Sequence, residues 1–161
     1  MEGLLLALDA LLVLGLAAWM IVAVADNWRH PKLNEDAVAV VVRFDAMARE
    51  FPDEFALLAH RRIEDAGTIR LMFRAIRLAE TVAAMALSAS VILLALASIG
   101  LAGSAFATGA ALLSVAYFAS IWAAFVIGGN YFAYWYCHQW AQSNHLMLLF
   151  WSLFVFIILL N

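Results

Sequence analysis

The chain has 161 residues, of which 67% are hydrophobic and 13% charged, and its mean hydropathy is +0.94. An ordinary soluble domain is about half apolar and a quarter charged, so a soluble enzyme is excluded. At about 20 residues per crossing of a roughly 30 Å hydrocarbon layer, the length accommodates about four membrane helices and one modest extramembrane segment, with no room for a separate catalytic domain.

Charge is confined to one window. All nine basic residues fall between Arg29 and Arg77, ten of the twelve acids fall between Asp26 and Glu80, and the two exceptions are Glu2 and Asp9. No formal charge follows Glu80. The formal net charge of -3 gives no reason to expect a nucleic-acid partner, and the single cysteine, Cys137, permits neither an internal disulfide nor a thiolate metal site.

The first apolar run, from about Leu4 to Val24, has the length of a span and ends at Asp26, Asn27, Trp28 and Pro31. Glu2 stands where a signal peptide carries Lys or Arg, and the run exceeds the usual 7 to 15 residues, so it reads as an uncleaved span. The segment 26–73 is predicted to be an amphipathic helical loop. Asn34 is positioned to cap a helix carrying Ala37, Val41, Phe44, Met47 and Phe51 on one face; Pro52 and Gly67 break the pattern, and Thr68 is placed to cap a helix that continues into the next span.

A second span is predicted at about 78–101 and a third at about 106–127, joined by an uncharged link at Gly103 and Ser104 short enough to make them an antiparallel hairpin. Alanine and serine on both, including Ala83, Ala84, Ser90, Ala111 and Ser114, let helix backbones approach closely in lipid. The fourth span is predicted at about 145–160. The expected fold is all-α: an integral membrane four-helix bundle forming one domain, with the helical loop between the first and second spans. The positive-inside rule places that loop in the cytoplasm and both termini in the periplasm.

Few residues invite chemistry. Glu80 lies at the start of the second span, where a carboxylate is costly unless partnered; Arg77, one turn earlier, is the simplest partner, and a bridge to another helix is the alternative. Asp9 lies near enough to the end of the first span to reach the headgroups. The stretch 128–145 combines six Tyr, Trp and Phe side chains with amides and two histidines. It reads as an interface belt, or as a pocket for a lipid headgroup, a quinone ring or a partner helix, because such rings join an apolar face to a polar edge. Gly128 and Gly129 are expected to bend the chain so that Asn130 caps a following aromatic helix, from which Trp135, His138 or Trp140 donates a hydrogen bond to Glu80. Haem is disfavoured: His138 and His145 would lie about 10.5 Å apart along one helix axis, and His30 and His60 fall in the polar loop. No phosphate-binding glycine loop, metalloprotease motif or paired intramembrane aspartate is present, so no catalytic or metal site is expected.

Asp26 and Asn27 after the first span, Glu80 at the second, and the run Gly128, Gly129, Asn130, Tyr131, Phe132 followed by Trp135, Gln139 and Trp140 together resemble a bacterial domain-of-unknown-function family of predicted small integral membrane proteins. The resemblance covers most of the chain and implies the architecture and a bacterial inner-membrane location, with no activity attached. It also implies an acidic residue at the position of Asn130 and basic residues ahead of the third span, and this chain departs on both counts. The functional expectation is a non-catalytic accessory subunit or assembly factor packed against a larger membrane complex, respiratory or photosynthetic. The alternative is a quinone- or lipid-binding anchor of an oxidoreductase, using Trp135, His138, Gln139, Trp140 and Glu80.

Overall fold

A computed structural model describes all residues, 1–161, and contains helices and no strands. Four helices are long and apolar enough to cross a membrane: α1 (Glu2–Arg29), α5 (Ala66–Ser98), α6 (Ser104–Tyr131) and α8 (Gln139–Leu159). Between α1 and α5 lie three short helices, α2 (Pro31–Val42), α3 (Asp45–Glu50) and α4 (Pro52–Leu58), and a 3-10 turn at Ala59–Arg61; α7 (Tyr134–Cys137) links α6 to α8.

Helix boundaries follow local chemistry, in several places not as the sequence suggested. Pro31 ends α1 because its ring and missing N–H cannot continue the ladder, and it becomes the first residue of α2. Asn34 therefore sits inside α2 and caps nothing; its amide donates to Asp26 Oδ2 at 3.1 Å. The predicted continuous helix through Phe51 is broken at Phe44, whose φ of 56° is left-handed. A bulky residue adopts that conformation only against a cost of about 1–3 kcal/mol, and here Phe44 is 2% exposed and packs against Phe55 and Phe132. The cap of α5 is Asp65, not Thr68. Its carboxylate accepts from the Thr68 N–H at 2.7 Å and the Thr68 hydroxyl at 2.9 Å, so Gly67 falls in the first turn and breaks nothing. Capped there, α5 runs 33 residues, about 50 Å at 1.5 Å per residue, and projects beyond the apolar run that begins at Leu78.

At its other end α5 closes through Gly100, whose φ of 77° any Cβ would resist, with the Leu101 N–H returning to the Leu96 carbonyl at 2.8 Å. This turn sends α6 back antiparallel. The long helices pack in the order α1, α5, α6, α8, and α1 also touches α6 and α8. One core unites them, with Leu16 and Met20 of α1, Leu87 of α5, Phe118 of α6 and Val155 of α8 fully enclosed. Trp19 meets Phe118 and Trp122 edge-on at 6.5 and 5.1 Å. In lipid such contacts carry association, since apolar burial alone gains nothing over lipid tails. Small residues tighten the seams: Ser90 donates to Ser114 across α5 and α6 at 3.0 Å, and the backbone of α1 at Gly3 approaches the Ser98 carbonyl so closely that a Cβ would stand 2.5 Å from it.

Helices α2–α4 and α7 gather at one end. Ala39, Val42 and Ile69 form one small cluster, Phe44, Met47 and Ala133 another, and the Ile63 N–H donates to the Val42 carbonyl at 2.9 Å. The glycine pair does not break the chain. Gly128 and Gly129 stay helical, and the turn comes instead at Phe132 and at Ala133, whose φ is 52°.

Candidate functional site

Two consecutive polar residues in the last turn of α1, Asn27 and Trp28, meet two consecutive polar residues of α5, Glu80 and Thr81. Asn27 Nδ2 donates to Glu80 Oε2 at 2.6 Å, and Trp28 Nε1 donates to Thr81 Oγ1 at 3.1 Å. The Thr81 hydroxyl in turn donates to the Arg77 carbonyl at 2.7 Å. Glu80 is 5% exposed, so its carboxylate is enclosed within a helix otherwise apolar from this point on, and Asn27 supplies its hydrogen bond. Arg77 does not pair with Glu80. Its guanidinium lies 4.0 Å from the Trp28 ring centroid and 5.6 Å from that of Phe73, a cation–π arrangement that directs it away from the carboxylate.

A second feature is bounded by α2, α5 and α6. Small residues on facing sides, Ala75 and Ala79 of α5 and Ala124, Gly128 and Gly129 of α6, leave a cleft of about 460 Å³. Val38, Val41 and Val42 of α2 and the rings of Phe125, Phe132 and Tyr134 also line it, and Tyr117 and Ser120 add hydroxyls to a lining that is otherwise apolar. Its size and lining are those of a site for an apolar ligand. Gly129 admits the close approach of two side chains. A Cβ there would collide with the Gln142 side-chain oxygen and come within 3.1 Å of the Tyr134 ring.

The residues expected to form one site are divided. Asn130 is exposed in the last turn of α6 and caps no helix. Trp135 is 49% and Trp140 90% exposed. Gln139 is exposed and donates to the Trp135 carbonyl at 2.7 Å, which ties the start of α8 to α7. His138, half-buried between α7 and α8, meets Tyr134 at 5.6 Å. Burial holds its pKa below the ordinary imidazole value, against the opposing pull of Glu50, and burial likewise raises the Tyr134 hydroxyl. None of Trp135, His138 and Trp140 bonds Glu80, whose donor is Asn27. The expected link fails because Glu80 faces α1, where Asn27 supplies its hydrogen bond, whereas α7 packs against α3, α6 and α8.

Residues not singled out for a site have larger parts. Asn27 and Thr81 were legible as polar neighbours of Trp28 and Glu80 at the ends of two spans. Trp122, Gln142 and His145 meet at the seam of α6 and α8: His145 stacks on Trp122 at 5.6 Å and lies 4.7 Å from Phe125. Buried Trp122 Nε1, Gln142 Oε1 and His145 Nδ1 have no protein hydrogen-bond partner, and none of these residues lines the cleft.

No curated protein and no solved structure shows significant similarity to this chain. A family model described as predicted small integral membrane protein (DUF2165) matches residues 5–161, which takes in the Asn27–Glu80 bond, the α5–α6 cleft and all four apolar helices, the first from Leu5 onward. The chain belongs to that family of small integral membrane proteins.

Proposed function

We propose that the protein is a non-catalytic accessory protein of the bacterial inner membrane, built as a four-helix bundle, whose α5–α6 cleft holds the apolar tail of a membrane lipid or an isoprenoid quinone. The observation that carries this reading is the cleft itself: about 460 Å³, apolar, and lined by aromatic rings, valine, alanine and glycine. A tail filling it would restore the close-packed contacts that Ala75, Ala79, Ala124 and Gly128 leave unmade. In this reading α2–α4 form an amphipathic cap on the cytoplasmic face, the termini are periplasmic, and the partner is another integral membrane protein or complex. The orientation follows from the basic residues, every one of which lies between Arg29 and Arg77.

Organic extraction of the purified protein followed by mass spectrometry tests the cleft. Wild type should carry one lipid or quinone species enriched over the surrounding membrane, and Ala124→Phe or Ala75→Phe, which fill the cleft from exposed positions, should lose it. Identical extracts from wild type and both variants would refute the reading. Purification from native membranes in mild detergent tests the partnership, for which recovery as a free monomer alone is the adverse result.

A further inference from the structure

We infer that a second cleft, between α2 and α5 and separate from the apolar one, binds the phosphate of an anionic lipid headgroup. It is about 340 Å³ in volume, and Lys32 of α2 with Arg70, Arg74 and Arg77 of α5 line it against a single carboxylate, Glu35. The three arginines recur at i, i+4 and i+7 and so share one face of α5. Two of the four cations are engaged: Lys32 with Asp36, and Arg70 with Glu35 at 3.8 Å. Arg74 and Arg77 form no ion pair. Arg77 is held in place by Trp28 and Phe73, so its guanidinium is ordered without being neutralised. Arginine's planar fork matches phosphate oxygens in a way a lone ammonium does not.

Depth identifies the source of the phosphate. The apolar run of α5 begins at Leu78, directly after Arg77, and Arg70 to Arg77 span about 10.5 Å of helix. A headgroup layer is roughly 5–8 Å thick on each side of the hydrocarbon. The cleft thus opens at the level where lipid phosphates lie, beside the exposed indole of Trp28 and the end of α1. Basic pockets at such a position favour anionic over zwitterionic lipid. The inference does not rest on the apolar cleft; the residues lining the two are different.

The test is native mass spectrometry of the detergent-solubilised full chain titrated with phosphatidylglycerol, phosphatidylcholine or inorganic phosphate. Wild type should retain one phosphatidylglycerol in preference to phosphatidylcholine. Arg74→Gln should weaken that retention about tenfold and Arg74→Lys about threefold, because the lysine keeps the charge and loses the fork. Arg49→Gln, an equal change of charge at an exposed position of α3, should leave it unchanged. Equal retention of the two lipids, or equal losses in Arg74→Gln and Arg49→Gln, would overturn the site. Displacement of phosphatidylglycerol by equimolar inorganic phosphate would assign the cleft to free phosphate and overturn the lipid.

Discussion

Replacing Asn27 by Leu and Glu80 by Met, singly and together, isolates the bond that joins α1 to α5 inside the apolar layer. Asn27→Leu leaves a 5%-exposed carboxylate without its donor, and orphaning a buried acceptor costs about 1–3 kcal/mol, more where the group is ionised. Glu80→Met removes the same bond but orphans only the half-buried amide of Asn27, so it should cost less, about 1 kcal/mol. The double variant orphans neither group and should be more stable than the sum of the single losses by about 1–2 kcal/mol. Interhelical hydrogen bonds in membrane proteins average about 0.6 and reach about 1.7 kcal/mol in such cycles; a carboxylate acceptor at 2.6 Å belongs at the upper end. Glu80→Gln keeps an acceptor oxygen and should cost under about 1 kcal/mol. Reversible unfolding in mixed micelles, followed by circular dichroism, measures the four variants against wild type. Additivity of the single variants within about 0.5 kcal/mol would show that the two side chains do not interact.

Three further outcomes follow from the geometry and are measurable on the same preparation. Gly128→Ala, with nothing within 4 Å of the new Cβ, should raise stability by about 0.5–1 kcal/mol through helix propensity, whereas Gly129→Ala, which drives a methyl into Gln142 and Tyr134, should lower it by about 1–3 kcal/mol; melting temperatures moving together would refute the distinction. Gly3→Val should push α1 from the Ser98 carbonyl and cost about 1–3 kcal/mol, read as a lower unfolding midpoint. The Thr68 N–H, and then its hydroxyl, hold the Asp65 carboxyl below its ordinary 3.8, so the cap's contribution is whole above that pH and fades as acid carries the pH down through the lowered pKa. The protection of the Thr68 amide, taken relative to its intrinsic exchange rate at each pH, should fall over that window, and Asp65→Asn, which keeps a capping oxygen, should flatten the dependence.

The number of membrane-length helices was legible because it depends on quantities local to the chain: long uncharged runs, Pro31 at the end of the first, and a glycine-containing link after the second. That Glu80 needs a partner was legible too, since the physics of a carboxylate in an apolar helix does not depend on the fold. Which partner it has was not. Arg77, the nearest cation in sequence, is drawn onto Trp28, and Asn27, fifty-three residues away, takes its place because α1 packs along α5. The breaks at Phe44 and Ala133 carry no sequence sign, because neither residue favours a left-handed backbone and only burial against residues distant in the chain holds them there. Gly128 and Gly129 announce a bend by composition but remain helical, since what Gly129 accommodates is the close approach of Gln142 and Tyr134. The apolar cleft is likewise a property of tertiary packing: alanines on α5 and glycines on α6 are ordinary small residues until packing sets them and α2 around one void, and a void between helices belongs to neither sequence segment alone.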